Sequence, residues 1–148
     1  MSTENVPSEL RTIIEEASDF HGHLGPFLTV GVRMGLAGLD RMDLGPGEAL
    51  RIVASLPLCV PFSCIIDGLQ TTTKCTVGNQ KLSLKDSQLV TAIFETSKVG
   101  KKVVITLKAH VLQELKQMLL TEGLANEEMR TVAWKIAALP QEELFIIT

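Results

Sequence analysis

The apolar positions fall into blocks whose spacing switches from helical to alternating and back. Leu10, Ile13, Ile14, Ala17 and Phe20 recur at three- and four-residue intervals among charged residues, which predicts an amphipathic helix from about Ser8 to Phe20. A second helix is predicted from Phe27 to about Met42, with Gly31, Gly35 and Gly38 along one side. Each glycine costs a helix about 1 kcal/mol against alanine, so three imply close approach of another backbone, from a neighbouring element or a second subunit. After a turn at Leu44-Gly45-Pro46-Gly47, Leu50, Ile52, Ala54 and Leu56 alternate with Arg51, Val53 and Ser55 as in a half-buried strand. Pro57 and Pro61 end that strand around Cys59.

A short helix is predicted from about Phe62 to Thr72, carrying Cys64, Asp67 and Gln70, followed by a loop at Cys75–Asn79. Leu82 and Leu84 alternate, Leu89 to Phe94 has strand character, and Lys98–Lys101 reads as a hairpin turn into the strongly β stretch Val103 to Leu107. These three strands are expected to form a meander, joined in the sheet by the earlier one. Val111, Leu112, Leu115, Met118 and Leu119 mark a helix closed by Gly123. Asn126 is expected to cap the next helix, which Pro140 stops, and Leu144–Ile147 adds an edge strand. The order predicts one α+β domain over residues 1–148, with a mostly antiparallel sheet packed with helices.

Composition narrows the setting. Apolar residues make up 45% of the chain and mean hydropathy is +0.24, a surplus of apolar surface that points to a homo-oligomer interface. No apolar run approaches the roughly 20 residues of a membrane span, so no membrane partner is expected. Net charge is −3 with scattered basic residues, which gives no support to nucleic-acid binding. The first residues lack a basic segment followed by an apolar one, so a cytoplasmic location is expected. Three cysteines do not make a disulfide framework and read better as core thiols or metal ligands.

The candidate chemistry lies in His21-Gly22-His23-Leu24-Gly25-Pro26. Residues i and i+2 point about 200° apart on a helix, so the two imidazoles share a side only on a looped backbone, which Gly22 permits. Pro26 suits the start of the following helix, whose free N–H groups favour an anionic small molecule there. With Cys59, Cys64, Asp67 and Cys75, the histidines form a donor set suited to zinc, nickel, copper or iron. Each residue also has a plainer reading: His23 as a core histidine, Cys64 and Cys59 as small buried hydrophobes, Asp67 as a solvated carboxylate, His110 as a surface residue. No nucleophile elbow, phosphate-binding loop or dinucleotide fingerprint occurs.

Phe20-His21-Gly22-His23-Leu24-Gly25-Pro26 with Gly31 and Arg33, Cys64 to Gln70, Cys75-Thr76-Val77-Gly78, and Glu143-Leu144-Phe145 together resemble the core domain of the FmdE family, named for the E component of formylmethanofuran dehydrogenase. The resemblance covers essentially the whole chain, without the C-terminal zinc finger of some members. It implies an intertwined homodimer with a metal-binding cleft for a divalent transition metal, zinc first, with nickel or iron as alternatives. His23 and Cys64 are then the favoured ligands with His21 and Cys75 nearby, and Asp67 and Gln70 support the ligands or face a substrate. His21 and Asp67 are the candidate catalytic residues, handling a proton. Gly25 stands where the family usually has cysteine and Phe27 where it has glycine, and Asn79-Gln80-Lys81 replaces Lys-Gly-Asn. Cys59 is a candidate to fold toward the loop and replace the missing thiol. Three cysteines cannot ligate a four-cysteine iron–sulfur cluster alone, so the expectation is an accessory or stand-alone metalloprotein, and whether it is an enzyme stays open. The alternatives are a subunit that binds a small ligand or partner without chemistry, and a degenerate member in which Gly25 marks a lost site.

Overall fold

Helices α1 (Ser8–His21) and α2 (Pro26–Met42) lead into strand β1 (Leu50–Leu56), helix α3 (Cys64–Thr73), and strands β2 (Leu82–Asp86), β3 (Thr91–Thr96) and β4 (Lys102–Leu107). Helices α4 (Ala109–Leu120) and α5 (Asn126–Ala138), the single turn α6 (Gln141–Leu144) and strand β5 (Phe145–Ile147) follow. The structure, a computed structural model, describes residues 5–96, 100–120 and 125–148. The expected turn residues Lys98 and Val99 and the helix-closing Gly123 lie outside the described residues.

Helix α2 is buried on both sides. Phe27, Val30, Met34 and Ala37 pack into the cluster that includes Ile52, Ala54, Phe94 and Ile105 of the sheet. Leu28 and Val32 join a second cluster with Ile14 and Ala17 of α1 and Ala133, Trp134 and Ala137 of α5. The small-residue stripe is explained by neighbouring elements of the same chain. A Cβ at Gly31 would run into the carbonyl of Ile65, and one at Gly68 would stand 2.6 Å from the carbonyl oxygen of Leu28. Gly35 faces Thr72 in the same way, and Gly38 faces the ring of Phe94. The backbones of α2 and α3 therefore touch along a seam that only glycine permits, and this seam carries the first turn of α3 to the end of α1.

The sheet order is β2-β1-β3-β4-β5, antiparallel except for β1 and β2. The predicted α+β class with a mostly antiparallel sheet is therefore present, but the three-stranded meander is not. Strand β2 pairs parallel to β1, Ile52 opposite Leu82, on the side away from β3. The crossover through α3 returns the chain in the same direction, which forces the parallel pairing. The Ser87 N–H on the Leu56 carbonyl and the Leu58 N–H on Asp86 Oδ1 fix the far end of that pair.

At the opposite end, Arg33 of α2 reaches α5 and donates through Nη1 to the carbonyls of Ile136, Ala137 and Leu139 at 2.8–3.0 Å. It satisfies acceptors that the helix end leaves open. The cap of α5 is Ala125 rather than the expected Asn126, and the Ala125 N–H donates to Glu128 Oε1 at 3.3 Å. The carboxylate at the third helical position thus accepts the cap residue's own N–H, the one half of a capping box that an alanine cap allows.

Candidate metal centre

His21 is the last residue of α1, one place further along than the sequence suggests. Gly22 follows with φ of 105°, a left-handed cap whose N–H bonds the Ser18 carbonyl at 2.7 Å. This reversal turns the chain at once, so His21 and His23 bring their rings to the same side with centroids 4.7 Å apart. Cys64 opens α3 beside them. The donor atoms of His21, His23 and Cys64 all lie within 4.8 Å of one another. Ligands of one tetrahedral ion stand roughly 3.3–3.8 Å apart. Of the three, His23 is the exposed one.

One turn along α3, Asp67 Oδ2 lies 2.6 Å from His21 Nδ1. The other carboxylate oxygen accepts from Gln70 Nε2 at 3.1 Å. With Nδ1 engaged, the free nitrogen of His21 is Nε2, which is buried and without a hydrogen-bond partner among the described residues. A buried polar atom left open in this way is costly unless something occupies it, and a metal ion is what an imidazole held by a carboxylate ordinarily serves. The donor set of two imidazoles and one thiol fits a zinc-type ion.

The electrostatics agree with that fit. Burial, with His21 alongside, pushes the His23 imidazole below its usual range, toward the neutral form that ligates. Burial first, then the nearby Asp67 carboxylate, pushes the Cys64 thiol up, against a smaller opposite effect of a backbone hydrogen bond. Cys64 is thus a poor free nucleophile, and a cation beside it is what makes its thiolate favourable.

The other sequence candidates are placed elsewhere. Cys75 is not brought to the cluster. It lies beyond the far end of α3, a ten-residue helix that spans about 15 Å, and its buried sulfur donates to the Leu50 carbonyl at 3.4 Å. Cys59 is exposed and also outside the cluster, lining a separate cavity of about 420 Å³ with Phe62, Leu89, Leu112 and Lys116. It does not replace a thiol at position 25. A Cβ at Gly25 would stand 3.9 Å from His23 Nε2, in ordinary contact. His110 is exposed, as expected. Two contributors escaped the sequence reading. The Val77 backbone N–H donates to Gln70 Oε1 at 3.0 Å, and Leu119 and Met129 wall a small apolar cavity of about 20 Å³ beside His23 and Cys64. No local pattern marks either.

The family model described as "FmdE, Molybdenum formylmethanofuran dehydrogenase operon" matches residues 20–146, a span that takes in the His-Gly-His turn, α3 and the closing strand. The chain belongs to the FmdE family. Among solved structures, this FmdE chain resembles a tungsten formylmethanofuran dehydrogenase FmdE-like protein from Syntrophus aciditrophicus, with a TM-score of 0.64 and 19% identity. That match covers 94% of this chain and 70% of the other, and it establishes the shared fold. A probable S-adenosyl-L-methionine-binding protein of Archaeoglobus fulgidus is 23% identical over 156 aligned positions, covering 94% of this FmdE chain. The chain spans 43% of the length of that relative.

Proposed function

We propose that this protein is a metalloprotein of the FmdE family that binds one divalent transition metal, zinc first, through His21, His23 and Cys64. The observation that carries the reading is His21 Nε2, buried and unpartnered on a ring fixed by Asp67 and grouped with two further donors. Three protein ligands would leave a position open, where a bound metal would polarise a carbonyl or activate water. His21 serves there as a ligand and Asp67 as the carboxylate that orients it, rather than as an acid and base pair. The narrow apolar cavity walled by Pro61, Phe27, Leu119 and Met129 admits only a small end group of a ligand next to the donors. The start of α2 at Gly25-Pro26 offers backbone N–H groups to an anionic part of the same ligand. A homodimer in the cytoplasm belongs to this reading, its interface suggested by the exposed apolar side chains Phe20, Leu58, Val60 and Leu89.

Elemental analysis of the untagged protein tests it, wild type beside His23→Ala and Cys64→Ala. The reading expects close to one metal per chain in the wild type, lost in both variants; wild type that takes up no metal on reconstitution contradicts it. The apolar cavity also favours a second reading, a binding module for a small ligand. The description of the Archaeoglobus relative suggests S-adenosyl-L-methionine as the probe. Calorimetric titration separates the two: saturable heat in metal-free protein supports the binding module, and none without metal supports the metalloprotein.

A further inference from the structure

We infer that Gln70 is a positioning residue that holds the Asp67 carboxylate against His21 Nδ1 and so keeps Nε2 the open ring nitrogen, Gln70 itself being fixed by a single backbone N–H. The inference rests on the metal-site reading for its purpose, but not for its evidence. The Val77 N–H can only donate, so the oxygen of the Gln70 amide must face it, at 3.0 Å. The amide nitrogen then faces Asp67 and donates to Oδ1 at 3.1 Å. An ionised carboxylate only accepts, so with Asp67 held in place by Gln70 the 2.6 Å contact has the hydrogen on His21 Nδ1 and Asp67 Oδ2 as acceptor. The lone pair of the neutral ring is therefore on Nε2. The opposite tautomer puts an N–H on a buried atom that has no acceptor, and sets a lone pair against a carboxylate.

The Val77 end of this chain of hydrogen bonds is anchored. Asn79 Oδ1 accepts from the N–H groups of Thr76 and Lys81 at 2.9 and 3.0 Å, and Asn79 Nδ2 donates to the Lys74 carbonyl at 2.8 Å. Asn79 thereby closes the loop around Val77 and keeps its N–H in place. The Cys75-Thr76-Val77-Gly78 segment serves the site through this backbone donor, not through its thiol. Gln70 and Asn79 link two parts of the chain that share no ligand.

Nitrogen-15 NMR of the histidine rings in metal-free protein tests the inference at about pH 8, where an ordinary imidazole is neutral. Wild type is expected to show His21 as one tautomer, protonated on Nδ1. Gln70→Met, which keeps the length and removes both hydrogen bonds, and Gln70→Glu, which accepts from Val77 but cannot donate to Asp67, are both expected to give mixed His21 tautomers. Zinc affinity of both variants is expected to fall roughly 10- to 100-fold, the usual cost of losing a group that orients a ligand. A single Nδ1–H tautomer retained in both variants overturns the inference, as does an Nε2–H tautomer in wild type, a result that needs no variant to fold. Failure of wild type to bind zinc would instead count against the metalloprotein reading, because the tautomer is read without metal.

Discussion

Cys64 and Cys75 flank the same helix and meet different fates. Cys64 opens α3, half-buried, in a cluster with two imidazoles. Cys75 lies two residues past the last residue of α3, is 3% exposed and bonds the Leu50 carbonyl. Burial raises both thiols, but the next influence has opposite sign: the Asp67 carboxylate raises Cys64 further, whereas a Thr73 hydrogen bond and Lys81 lower Cys75. The two ends of α3 therefore do separate work. One presents a donor to the histidines, while the other stitches the helix to the sheet and leaves only the Val77 N–H to serve the site.

Parting α3 from α2 disturbs both ends of the helix at once. Gly31→Ala drives a methyl group into the Ile65 carbonyl, and a backbone atom within a helix has little room to yield. It is expected to destabilise the protein by about 3 kcal/mol or more, read by urea unfolding, and to displace both ends of α3 together. Trimming the thiols acts on one end at a time. Cys75→Ala should cost about 1–2 kcal/mol through lost packing and an unpaired carbonyl, whereas Cys64→Ala should cost under about 1 kcal/mol in metal-free protein.

Acidity sharpens the same contrast. Metal uptake must displace the Cys64 proton, whose pKa is raised, so zinc affinity should climb with pH by up to about tenfold per unit until that value is passed. Affinity should fall further in acid, where His23 gains a proton despite its lowered pKa. In metal-free protein the raised thiols give the opposite trend, because the native state holds their protons longer. Their contribution to stability is complete below the ordinary thiol pKa and is lost as pH rises through the raised one. Bound zinc reverses that sign at Cys64 and leaves Cys75 unchanged. Cys59→Ala, at an exposed position outside the cluster, is expected to shift stability by under about 0.5 kcal/mol and to leave metal content intact.

Much of this arrangement was legible in the sequence because it follows from local periods. The spacing of Ile13, Ile14 and Ala17 marked α1, the alternation from Leu50 to Leu56 marked β1, and Gly31 with Gly35 announced a tight seam. His21, Gly22 and His23 marked the candidate cluster because Gly22 lets the chain turn so that both rings share a side. What was not legible depends on pairing across distance. Leu82 and Leu84 alternate whichever strand they join, so the parallel place of β2 beside β1 follows only from where α3 returns the chain. Asp67 was a candidate by its spacing from Cys64, but its bond to His21 spans 46 residues. Cys75 was grouped with the ligands because its motif accompanies them, and only the length of α3 separates it from them.

The central claim is that His21, His23 and Cys64 hold the metal and that Cys75 does not. It is tested most directly by adding cobalt(II) to wild type, Cys64→Ala and Cys75→Ala and recording the thiolate-to-cobalt charge-transfer absorption. The account predicts the band in wild type and in Cys75→Ala, and its absence in Cys64→Ala. A band that survives Cys64→Ala, or disappears in a folded Cys75→Ala, would contradict it.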